Sequence, residues 1–149
     1  MATALNMTLR LKQDPVTQAT LKHVKEVFAT QIQPAIDAAL KKSEIVHYAR
    51  VVIIDDKYIQ VLTEFDGDKK VYTTFFLKAL PEVFKTIFSL GEGVPSWEEL
   101  QDEDRFYEVS KDLNVASLGA QADAPGAGYL FQAFGNTTVK EMKAALAKV

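Results

Sequence analysis

The spacing of hydrophobic residues predicts a strand followed by a long helix at the start of the chain. Apolar side chains alternate with polar ones over residues 5–11, as in a strand that buries one face. Asp14 is a typical N-cap, and Pro15 suits the first helical position. An apolar stripe with spacings of three or four residues then predicts a helix to about Lys42, which Pro34 should kink or break.

Two β-rich runs around a polar turn predict a hairpin in the middle of the chain. The first run, Ile45–Ile54, is largely apolar on both faces, and the second is Tyr58–Phe65. Between them, Asp55-Asp56-Lys57 is a turn sequence. A strand that is apolar on both faces is normally covered on both sides. We therefore expect both faces of this hairpin to contact other protein surfaces.

The second half of the chain predicts several helices and one more strand. An aromatic-rich helix follows Asp66-Gly67-Asp68 and is divided at Pro81. Short helices are expected from Ser96 and near residues 106–113, and a last strand at residues 128–134 precedes a final helix. Residues 91–128 form a longer connection than a minimal fold requires, and long insertions are often functional.

This order of elements predicts a ferredoxin-like α+β fold. The βαββαβ unit would form a four-stranded antiparallel sheet, with extra helices after the second main helix and at the C-terminus. All 149 residues are expected to form a single domain. The two helices would cover one face of the sheet. We expect an identical sheet to cover the other face in a homodimer, because most oligomers are symmetric dimers.

Composition excludes several classes of site. The chain has no cysteine, which excludes disulfides, thiolate metal sites and a cysteine nucleophile. Its formal net charge of −3 gives no general attraction to nucleic acid. It has no apolar run long enough to span a membrane and no secretory signal at its start, so we expect a cytoplasmic protein.

The hairpin carries the best candidate functional side chains. His47 could act as a general base or as an axial haem ligand, or be a hydrogen-bonded structural histidine. Arg50 needs a carboxylate, a carbonyl or an anionic ligand, and an ion pair with Glu64 would satisfy it structurally. A three-residue turn would place Arg50 and Tyr48 on the face of Glu64, whereas a two-residue turn would place His47 there. Arg10, on the polar face of the first strand, could line the same cavity or make a polar contact across the dimer.

Three segments are similar to a known superfamily. The segments IVHYARVVIIDD, VLTEFDGD and YLFQAFGNTTVKEM resemble a poorly characterised group of small bacterial proteins, which often read His-Phe-Ala-Arg before a strand and Tyr-Asp-Gly-Asp after the next. The order of elements resembles the dimeric α+β barrel superfamily, which includes haem enzymes and cofactor-free monooxygenases. The resemblance implies a dimer with a ligand cavity, and haem is one cofactor it allows. The Gly-x-x-Asp-Gly signature of dye-decolourising peroxidases is not matched, since Glu64 stands at its first glycine.

Two functional hypotheses follow. The first is a small-molecule-binding protein, with an oxidoreductase or monooxygenase among the options, whose cavity binds a small apolar or anionic ligand through His47, Arg50 and Glu64. The second is a non-catalytic homodimeric interaction module whose apolar sheet face serves only as an interface. A fold alone does not decide between them.

Overall fold

The computed structural model describes residues 2–149 and contains one antiparallel sheet in the strand order β1-β3-β2. The strands are β1 (Thr3–Arg10), β2 (Val46–Ile54) and β3 (Tyr58–Phe65). The α+β class is confirmed, and so is the central hairpin. The predicted four-stranded ferredoxin-like sheet is wrong, because the sheet has three strands over the described residues 2–149.

Residues 128–134 do not form the predicted last strand, and they run as turns and irregular backbone instead. Gly128 at its start and Gly135 just after it have positive φ values of 77° and 66°, outside the β region. The free edge of β1 is occupied by another segment. Thr8 N donates to Leu113 O at 2.8 Å, and Val115 N donates to Asn6 O at 2.9 Å. The connection at residues 91–128 therefore protects a sheet edge at which a fourth strand could have paired.

The helices follow the predicted order, and three of them start at an expected cap, whereas the final helix is capped by Thr138 and not by Asn136 or Thr137 as predicted. Asp14 caps the first helix, Asp68 the third and Ser96 the fifth, and Pro81 starts a new helix as predicted. The helices are α1 (Pro15–Val27), α2 (Gln33–Ser43), α3 (Lys69–Ala79), α4 (Pro81–Ser89), α5 (Trp97–Leu100), α6 (Glu103–Asp112) and α7 (Val139–Ala147).

A π-helical segment, Phe28–Ile32, joins α1 to α2, so the expected interruption near Pro34 is not a break. Apolar residues recur every four residues from Val24 to Leu40. In an α-helix of about 3.6 residues per turn, each such step turns about 40° past a full circle. The stripe would then drift away from the sheet. The π-helical turn holds more residues and offsets this drift, so that Ile36 and Leu40 still pack against the core.

A three-residue turn, Asp55–Lys57, joins the hairpin strands. Asp55 and Asp56 adopt left-handed backbone angles, with φ of 51° and 54°, which aspartate tolerates better than most residues. The resulting register pairs Arg50 with Leu62 and Tyr48 with Glu64. Of the two turn lengths considered from the sequence, the structure has the longer one.

The two faces of the sheet differ in their cover. On the inner face, Phe65 is fully buried and stacks on Tyr72 of α3 with ring centroids 4.1 Å apart. The Tyr72 hydroxyl donates to Thr63 Oγ1 at 2.7 Å, which satisfies both buried polar groups. The outer face carries Tyr48, which is 74% exposed, and Glu64. The candidate site lies at this end of the outer face.

Candidate ligand-binding cleft

A β-bulge at the start of β2 shapes the candidate site. The register shifts between Val46 and Tyr48, which leaves His47 without a partner on β3. Bulges of this kind redirect side chains and are common beside functional sites. Here the bulge allows both His47 and Tyr48 to border a cleft of about 420 Å³, with residues 130–135 forming the opposite wall. We call this space the aromatic cleft.

His47 and Asp66 form a nearly buried pair at the edge of the aromatic cleft. His47 Nε2 lies 2.8 Å from Asp66 Oδ1, and the two side chains are 10% and 14% exposed. The other carboxylate oxygen of Asp66 accepts a hydrogen bond from Val139 N at 2.8 Å. Asp66 thus joins the hairpin to the first turn of α7. The sequence predicted Asp66 or Asp68 as a helix cap, and Asp68 is the residue that caps α3.

Glu64 carries the buried side-chain atom that, among residues 2–149, the protein leaves without a hydrogen-bond partner. Its Oε2 atom is buried and accepts no hydrogen bond from any residue among 2–149. Burial raises the pKa of Glu64 above its ordinary value of 4.5, while the positive charges of Arg50 and His47 oppose this rise. A buried acceptor without a donor is unfavourable. The structure therefore places an unsatisfied carboxylate oxygen in a cleft of ligand size.

Exposed aromatic rings form the outer walls of the cleft. Phe131 is 84% exposed and Phe134 is 79% exposed, and both border the cleft together with Tyr48. Clustered, exposed aromatic side chains are typical of binding surfaces. Our sequence reasoning assigned Phe131 and Phe134 to a strand and missed them as site residues. The signal was present, because three aromatic residues, Tyr129, Phe131 and Phe134, lie between Gly128 and Gly135.

Arg50 and Arg10 lie outside the aromatic cleft. Arg50 borders a second, mostly apolar cavity of about 180 Å³ between the sheet and the helices. Among the described residues it has no ion-pair partner within 4.0 Å, so the expected Arg50–Glu64 pair is not formed. Arg10 donates to the hydroxyl of Tyr58 at 3.2 Å. Since Tyr58 and Glu64 are six residues apart on β3, Arg10 lies roughly 20 Å from the cleft.

The residues of the cleft do not fit axial haem ligation by His47 through Nε2. That nitrogen is held by Asp66 at 2.8 Å, whereas a metal-bound histidine uses the carboxylate to orient the nitrogen that does not bind metal. Over residues 2–149, no group of three or more histidine, aspartate or glutamate side chains is arranged to hold a metal ion. The chemistry that the cleft offers is therefore hydrogen bonding and proton transfer at Glu64, beside aromatic walls.

Comparison with known proteins gives no further assignment. Searches against protein-family models, curated proteins and solved structures returned no match. No helix within residues 2–149 has both the length and the apolar character needed to cross a bilayer.

Proposed function

We propose that this protein binds a small molecule in the aromatic cleft. The observation that carries the proposal is the buried, unpartnered Oε2 of Glu64. A volume of about 420 Å³ lies in the range of small-molecule sites. Apolar walls with a few fixed polar groups are also typical of such sites. A bound molecule would supply the hydrogen-bond donor that the protein does not.

Glu64 is also the group in position for acid–base chemistry. Burial raises the pKa of the Glu64 carboxyl, and a carboxyl group with a raised pKa suits general acid–base catalysis better than an ordinary one. An oxidoreductase or monooxygenase, as the superfamily resemblance implies, would need such a group beside its substrate. His47 would position this wall through its bond to Asp66 and would not itself react. The cytoplasmic location is proposed with it, because a chain without cysteine suits a reducing compartment.

A fluorescent probe tests whether the cleft binds small molecules. N-phenyl-1-naphthylamine becomes brighter in apolar sites, and we expect enhancement with the wild-type protein. A double variant, Phe131→Ala with Phe134→Ala, should lose most of it, because both rings border the cleft. Leu118→Ala is the matched control, since Leu118 is 92% exposed and lies outside the cleft. Equal enhancement in wild type and double variant would contradict the proposal.

A homodimer through the outer face of the sheet is the second candidate function. It is favoured by large apolar side chains that this face leaves exposed, with Tyr48 at 74% and Ile54 at 41%. A second copy of the same face would cover them, as the resemblance to dimeric barrels implies. Size-exclusion chromatography with light scattering should then give twice 16.6 kDa, and Ile54→Lys should give the monomer. A wild-type mass of 16.6 kDa would rule out this dimer.

A further inference from the structure

The charges around the aromatic cleft indicate which class of molecule it takes. His47 and Glu64 are the ionisable side chains that border it, apart from Tyr48. His47 is paired with the carboxylate of Asp66, which lies 2.8 Å from its Nε2. The carboxylate of Glu64 forms no ion pair within 4.0 Å among the described residues, and the positive charge of Arg50 acts on it only from a greater distance. The wall of the cleft therefore carries a carboxylate that no ion pair within residues 2–149 balances.

The aromatic side chains around the cleft favour the same sign of ligand charge. The face of an aromatic ring is electronegative and attracts organic cations. Tyr48, Phe131 and Phe134 border the cleft and are mostly exposed, so their rings are accessible to a ligand. A carboxylate beside several such rings resembles the arrangement that binds alkylammonium groups. An anionic ligand, one of the options considered from the sequence, would lie against the carboxylate of Glu64, whereas His47, the basic side chain of the wall, is already bonded to Asp66.

We propose that the aromatic cleft binds an organic ammonium ion, which donates an N–H to Oε2 of Glu64 and packs its apolar body against Tyr48, Phe131 and Phe134. This inference rests on the proposed function and names its ligand class. The ligand needs an N–H group because Oε2 of Glu64 is a buried acceptor that receives no hydrogen bond from the described residues. A primary or secondary amine with an aromatic or branched alkyl body meets both conditions.

Three probes of nearly equal shape but different charge show whether the charge of the ligand determines its affinity for the cleft. They are 2-phenylethylamine, which is cationic at pH 7.5, 2-phenylethanol, which is neutral, and 3-phenylpropionate, which is anionic. Isothermal titration calorimetry should show the amine binding at least about tenfold tighter than the alcohol, because a hydrogen bond to a charged partner is worth more than a neutral one. The carboxylate should bind least.

The Glu64→Gln variant tests the assigned contact. It keeps the shape of the side chain and removes its charge, so we expect amine binding to fall to the level of the alcohol. Glu98→Gln is the matched control, since Glu98 is an exposed glutamate on α5 that does not border the cleft. Its amine affinity should equal that of the wild type. Circular dichroism of each variant confirms that the proteins compared are folded.

Each other outcome has a defined meaning. If the alcohol or the carboxylate binds as tightly as the amine, or if Glu64→Gln leaves the preference for the amine unchanged, the inference is overturned while small-molecule binding stands. If none of the three probes binds but N-phenyl-1-naphthylamine still does, the ammonium class is again wrong. Failure of all four molecules to bind would overturn the proposed function as well.

Discussion

Replacement of Asp66 by alanine tests whether the His47–Asp66 pair holds the hairpin and α7 together. The carboxylate makes two hydrogen bonds of 2.8 Å, one with His47 and one with the backbone N–H of Val139. Both side chains of the pair are largely buried, at 10% and 14% exposure, so water would only partly replace the lost bonds. The alanine variant would leave a buried imidazole and an N–H of the first turn of α7 without this partner.

The magnitude follows from these two bonds. Loss of a bond to a charged partner costs about 1.5–3 kcal/mol, and loss of a carboxylate from the start of a helix costs about 0.5–2 kcal/mol. We therefore expect Asp66→Ala to lower the free energy of unfolding by about 3 kcal/mol. Asp66→Asn keeps one carbonyl acceptor and should cost only about 1 kcal/mol.

Urea unfolding followed by circular dichroism, with linear extrapolation, measures these changes. Hydrogen exchange should show in addition that the amides of α7 lose protection in Asp66→Ala, since Asp66 is the side chain that holds Val139. Asp37→Ala is the control, because Asp37 is exposed on α2 and its loss should be nearly neutral. This account of the pair would be refuted if Asp66→Ala lowered the free energy of unfolding by less than about 1 kcal/mol and left the amides of α7 as protected as in the wild type.

Three further predictions concern the cleft and the core. Glu64 has a pKa above the ordinary 4.5 in the folded state, so the native protein binds more protons than the unfolded chain just above pH 4.5, and its stability should fall as the pH rises through this range. The urea midpoint should fall less with pH in Glu64→Gln than in the wild type, and an equal fall in both proteins would contradict the prediction. Phe131→Ala and Phe134→Ala should each change the free energy of unfolding by less than about 0.5 kcal/mol in urea titrations, because the rings are exposed; a larger loss would place them in the core. Tyr72→Phe should cost about 1–2 kcal/mol by the same assay, since it leaves the hydroxyl of Thr63 without its partner; a neutral result would mean that water replaces the bond.

The sequence predicted best those parts of the fold that local pattern determines. The hairpin follows from two β-rich runs and a turn rich in aspartate, and the caps at Asp14, Asp68 and Ser96 follow from side-chain chemistry alone. The fourth strand failed because alternation in residues 128–134 is a local signal, whereas strand formation also needs a free sheet edge. That edge is occupied by residues 113–115, through contacts between residues more than 100 positions apart.

The candidate site was only partly predictable for a similar reason. The sequence identified His47, Tyr48 and Glu64, and the structure brings all three to one cleft. The bulge after Val46 that makes this possible depends on pairing with β3, which no pattern in β2 alone reveals. The partnership of His47 with Asp66 spans 19 residues and depends on the same pairing.

The π-helical segment Phe28–Ile32 has a consequence for the length of the chain. It makes the α1–α2 layer one residue longer than a regular α-helix along the same path, since a π-helical turn amounts to one residue inserted into an α-helix. Deletion of a single residue inside this segment would restore regular α-helix and leave Ile36 and Leu40 facing the sheet. The same deletion within α1 would rotate the residues before it by about 100° relative to the stripe. A one-residue deletion in this layer should therefore be tolerated within Phe28–Ile32 and not in α1 or α2.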